Sequence, residues 1–156
     1  MPNMQLFPAP VNLLTVATLT TSGTGSAITI PMASSYRISL QANTVSGTSP
    51  TLDVSLFTSL DGGNTYVGFL HFAQMTTSGA GQQVIIKPYL GPTEVATTAV
   101  APLLGTADFT AGTSAVYPNG PIDPRYIKVR YVLSGTSPSF SSVAVNLLAV
   151  SQDSAD

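Results

Sequence analysis

Apolar and polar residues alternate with a period of two along this chain, and that rhythm constrains the fold more than any other feature. Across residues 36–43, Tyr36, Ile38, Leu40 and Ala42 fall on one face of an extended strand, and Arg37, Ser39, Gln41 and Asn43 on the other. The same alternation recurs over 52–56, 127–131 and 143–147. Further strands are expected at about 11–20, 26–31, 66–75 and 83–88, where Thr, Val, Ile and Tyr supply β-branched and aromatic side chains. Helices are disfavoured by 13 Gly and 12 Pro. The most helix-tolerant stretch, Thr93 to Leu104, is spoiled by Thr97, Thr98 and Pro102. The expected fold is all-β: an antiparallel two-sheet sandwich of roughly eight strands, which buries the alternating faces and limits open edges.

At 156 residues the chain is long enough for one domain. Only 8% of it is charged, against roughly 25% in an ordinary soluble domain. Ser and Thr fill about a quarter of the positions and stand in for the missing ions. Mean hydropathy is +0.31, yet no apolar run reaches a membrane-spanning length. A surface with so few charges tends to associate, which points to burial against other subunits. The net charge of −2 argues against nucleic acid, which requires a basic stripe. Cysteine is absent, so disulfides, thiol nucleophiles and thiolate metal sites are excluded. The N-terminus lacks the charged and apolar regions of a signal peptide, so synthesis and folding in a cytoplasm are expected.

Composition divides the chain further. Residues 1–10 read as an extended arm, with Leu6 and Phe7 between prolines. Residues 11–150 form the single β domain, and 151–156 a loose polar tail. Within the domain, 88–124 is a long Pro/Gly-rich excursion with little alternation. It carries Tyr89, Leu90, Leu103, Leu104 and Phe109, which a solvated linker would avoid. It either packs on a neighbouring subunit or crosses one end of its own sandwich. The apolar residues of the arm and the excursion are the candidate contacts with other subunits.

Turn chemistry falls between the strands. Ser46-Gly-Thr-Ser-Pro50 is echoed by Ser134-Gly-Thr-Ser-Pro138, and each copy joins one alternating segment to the next. Two similar hairpins result, either by coincidence of loop chemistry or as a pseudo-symmetric pair lying side by side. Ser59-Leu-Asp61-Gly-Gly63-Asn-Thr65-Tyr66 fits the Asp-box pattern, with Tyr66 in place of Trp, and resembles the hairpin turn of sialidase propellers. Its Asp accepts turn amides and its Gly permits positive φ, so it is a structural motif.

Catalytic chemistry finds little support. The lone histidine, His71, sits in an apolar strand, no Gly-x-Ser-x-Gly elbow is present, and a zinc site would need more ligands. No pair of carboxylates is singled out for acid–base work on a glycoside. Calcium at Asp61 and Asn64 would not match an EF-hand loop. No glycine-rich phosphate loop precedes a helix, and no cofactor is expected. Arg37, Lys128 and Arg130 are expected to pair with Asp53 across the sheet, to meet an acidic partner surface, or to line a solvated outer face.

The run from Ser46 through Asp53 to Asp61-Gly-Gly-Asn-Thr65-Tyr66, with Arg125-Tyr-Ile-Lys-Val-Arg-Tyr131 and Ser134 to Pro138, resembles small head decoration, or cement, proteins of tailed bacteriophages. The likeness covers about residues 36–75 and 123–150 and marks no contact residue. It implies a jelly-roll-like sandwich and a structural, non-enzymatic role. Such a protein sits on the capsid exterior, commonly as a homotrimer, and clamps neighbouring copies of the major capsid protein. The alternative is a carbohydrate-binding or host-attachment module of a phage virion; its aromatic platform would rest on Tyr89 and Tyr117, since Trp is absent.

Overall fold

A computed structural model of the chain describes residues 9–33, 35–59, 61–76, 81–86 and 125–150. The structure is all-β and antiparallel, with no helix among the described residues. Its strands are β1 (Val11–Leu19), β2 (Gly23–Thr24), β3 (Ser35–Gln41), β4 (Val45–Thr58), β5 (Val67–His71), β6 (Gly81–Ile86) and β7 (Ile127–Val150). All seven belong to one hydrogen-bonded, curled sheet in the order β5-β4-β7-β3-β6, with β1 and β2 also pairing with β7.

The 24-residue β7 is the spine. β3 pairs with its second half, from Ser35↔Val150 to Gln41↔Ala144. β4 continues along the same edge, from Val45↔Phe140 to Thr58↔Ile127. Between Gln41 and Val45 the partner advances by the same number of residues, so the register does not slip at the join. Asn43 N–H donates to Ser141 O at 3.0 Å and Ser141 N–H to Thr44 O at 2.8 Å, bridging the gap. β3 and β4 are therefore two lengths of one long strand. The opposite edge of β7 is lined by β1, by β2 and by the Ile28↔Ile127 bridge.

The two Ser-Gly-Thr-Ser-Pro copies meet at the middle of this ribbon. Thr48 pairs with Thr136, and the register shifts on both sides of that pair. Each copy bulges in the same way: Gly47 and Gly135 have φ of 110° and 108°, and Ser49 and Ser137 both have φ of 48°. A Cβ on Gly47 would lie 2.6 Å from Ser137 O, and one on Gly135 would lie 2.6 Å from Ser49 O. Glycine is required twice, for the positive φ and for the close backbone approach. The local relation is a pseudo-twofold one. The echo therefore marks not two hairpin turns but two bulges in continuous strands that pair with each other. The side-by-side placement expected of a pseudo-symmetric pair is present; the hairpins are not.

These bulges also reset the alternation, because one extra residue moves every later side chain to the other face. In β7 the large buried side chains run Ile127 and Val129, then Phe140, then Val143, Val145 and Leu147. The second change of phase falls at Ser142, whose φ is 51°. One core gathers residues from both lengths of the ribbon: Tyr36, Ile38 and Leu40 from β3, and Leu52, Val54 and Leu56 from β4. Each such side chain contributes about 1.5–3 kcal/mol of transfer free energy.

Several expected boundaries move. The strand expected at 26–31 is reduced to the single bridge at Ile28. That at 66–75 becomes β5 with a separate Leu52↔Met75 bridge. The alternating segments at 36–44 and 52–56 fall in β3 and β4, which follow one another along the same edge of β7. The arm through residue 8, the whole excursion 88–124 and the tail lie outside the described residues.

Candidate functional site

Outward-facing positions of four adjacent strands build a groove of about 410 Å³ on one face of the sheet. The strands lie in the order β1-β7-β3-β6. Asn12 pairs with Asn146, Asn146 with Ser39, and Ser39 with Gln83, so four polar residues form one row across the sheet. Arg37 stands two residues before Ser39 on the same face, beside Leu148, and Pro10 closes the β1 end. Alternation explains the row: Ile38, Leu40, Val145 and Leu147 take the inner face, which leaves Arg37, Ser39 and Asn146 outside. Sequence reading found the outward set on β3 but not its partners, because cross-strand register is not written locally.

The Asp-box segment is a self-contained turn between β4 and β5. Ser59 Oγ donates to Asp61 Oδ1 at 2.7 Å and accepts from Gly63 N–H at 2.7 Å. Asp61 also accepts from Asn64 N–H at 3.1 Å, Thr65 N–H at 2.9 Å and Thr65 Oγ1 at 2.6 Å. Thr65 above all, with Ser59, holds the Asp61 carboxyl down at about 2. Gly62 and Gly63 have φ of 78° and 95°. Lys128 Nζ sits 3.8 Å from the centre of the Tyr66 ring, a cation–π contact that ties β7 to the turn. Both Asp61 oxygens are engaged within the turn.

Asp53 does not meet Arg37, Lys128 or Arg130. Its lateral partner is Val132, and its Oδ2 accepts from Gln74 Nε2 at 2.9 Å. Its Oδ1 lies 3.8 Å from His71 Nε2. Register fixes this, since β5 places His71 directly opposite Ser55 on β4. A histidine and an aspartate thus meet, with Ser55 in register opposite the histidine, where a lone strand histidine, half-buried, is expected from the sequence. His71 is fully buried, 1% exposed. Burial pushes its imidazole down, opposed by the Asp53 carboxylate. Among the described residues no group of three or more His, Cys, Asp or Glu is placed to hold a metal ion.

The expected subunit contacts Leu6, Phe7, Tyr89, Leu90, Leu103, Leu104 and Phe109 all lie outside the described residues. No helix among the described residues is long and apolar enough to cross a membrane. No family model, no curated protein and no solved structure matches this chain.

Proposed function

We propose that this chain is a structural protein of a tailed-bacteriophage virion, a decoration protein that binds the outside of the head and clamps neighbouring capsid subunits. The observation that carries the reading is a charge-poor, hydroxyl-rich chain whose mean hydropathy is +0.31. Two of its few ionic groups are committed internally, Asp61 within its turn and Lys128 on Tyr66. Large apolar side chains stand open beside the sheet, with Met32 84% and Val16 66% exposed. Such a surface gains from being covered. Burying ~1,000 Å² or more at each of many repeated sites stabilises a shell through multivalency.

In this reading the curled sheet works as a jelly-roll-like sandwich, with β6-β3-β7-β1 and β5-β4-β7-β2 as its two leaves. Copies associate as a homotrimer, and the arm (Leu6, Phe7) with the excursion (Tyr89, Leu90, Leu103, Leu104, Phe109) makes the contacts to the major capsid protein. The role is non-enzymatic, without cofactor, nucleic acid or membrane partner, and its place is the capsid exterior after synthesis in the host cytoplasm. Light scattering of the purified full chain, alone and with empty heads, tests it. A trimer mass and saturable co-sedimentation, weakened by deleting residues 1–9, are the expected results. A monomer at high concentration that ignores viral shells refutes the proposal.

A further inference from the structure

We propose that the groove on the β1-β7-β3-β6 face binds a hydroxyl-rich, carboxylate-bearing oligosaccharide. The row Asn12, Asn146, Ser39, Gln83 crosses four strands, so at ~4.8 Å per strand it presents polar groups over ~14 Å. Among the described residues, none of these side chains has a hydrogen-bond partner, and Arg37 has neither a hydrogen bond nor an ion pair. Amide and hydroxyl groups each donate and accept, which matches a succession of sugar hydroxyls that do both. The guanidinium adds a fork suited to a carboxylate, and among the described residues no acidic one lines the groove to compete with the ligand.

The geometry disfavours a peptide. The row runs across the strands, and the backbone groups of β7 and β3 are already spent on both neighbours. A peptide would gain no strand-addition ladder there and would bind through side chains alone. Pro10 and Leu148 offer apolar contact for sugar C–H faces, and among the described residues no aromatic ring lines the groove. Without stacking, a single site binds weakly, in the millimolar range, and many copies on one surface would raise the avidity. This inference does not depend on the capsid reading.

The test is an NMR titration of the isotope-labelled full chain, following the side-chain amide signals of Asn12, Gln83 and Asn146. The probes are tetragalacturonate, maltotetraose and tetraglutamate. Tetragalacturonate is expected to shift the three amides saturably and more tightly than either comparison. Arg37→Gln, on an exposed position, is expected to weaken it about tenfold, the size of one lost charge-assisted contact, while Arg37→Lys retains part of the affinity. An unchanged backbone spectrum shows that the variants fold. The proposal is overturned by no shift at about 20 mM ligand, by equal binding of tetraglutamate, or by an Arg37→Gln variant that binds as well as the parent.

Discussion

Two segments of this chain are both rich in turn-forming residues and have opposite structural roles. Ser59 to Tyr66 reverses the chain, and its side-chain hydrogen bonds stay within its own residues. Ser46 to Pro50 does not reverse the chain, and its conformation is imposed by Ser134 to Pro138 on another strand. Glycine at positive φ serves both. In the turn it faces open space or a side chain; at the crossing it faces another backbone. Local composition reports that the chain must bend, whereas the partner decides whether the bend becomes a turn or a bulge.

Five substitutions and two titrations would break or sharpen that contrast. The largest effect is expected at the crossing, where Gly47→Ala and Gly135→Ala should each cost about 3 kcal/mol through backbone strain and overpacking. Chemical denaturation of both variants measures it, and unequal losses would break the pseudo-twofold account. Gly63→Ala should cost about 2 kcal/mol, since its Cβ would lie 3.2 Å from the Tyr126 ring, which has more freedom to yield than a backbone. Gly62→Ala should cost about 1 kcal/mol, from φ alone, because nothing lies within 4 Å of its Cβ. A Gly62 variant as damaging as a Gly47 variant would erase the distinction.

The smallest effects are ionic. His71 has a depressed pKa in the folded chain, so as pH falls below ~6.5 the unfolded chain takes up the proton first and stability declines. His71→Gln should flatten that part of the stability–pH curve. For Asp61 the depressed pKa stabilises the fold above the ordinary carboxylate range, and the benefit is lost as pH falls through about 2. A carboxyl NMR titration reads it directly, and a midpoint near the ordinary value would detach Asp61 from its turn.

Much of the strand content was legible because alternation needs no partner to be seen. Tyr36 to Ala42 and Leu52 to Leu56 bury the faces their spacing assigns. The Asp-box turn was legible for the same reason: its donors and acceptor lie within seven residues of each other. The meeting of Asp53 with His71 and the row across the groove were not, because both depend on register between strands distant in sequence. The crossing was half legible. Its repeat was visible, but two like sequences gave no sign that each was the other's partner.

Strand β7 has a further consequence, for synthesis. Every other strand except β5 and β6 pairs directly with it, and it is the last of the seven in chain order. On a ribosome, residues 11–86 emerge as edges without a spine, and the sheet cannot close until 127–150 have left the exit tunnel. Pairing Val11 with Leu147 closes nearly the longest loop this chain allows, a topology that folds slowly and leaves apolar strands open to strangers in the interval.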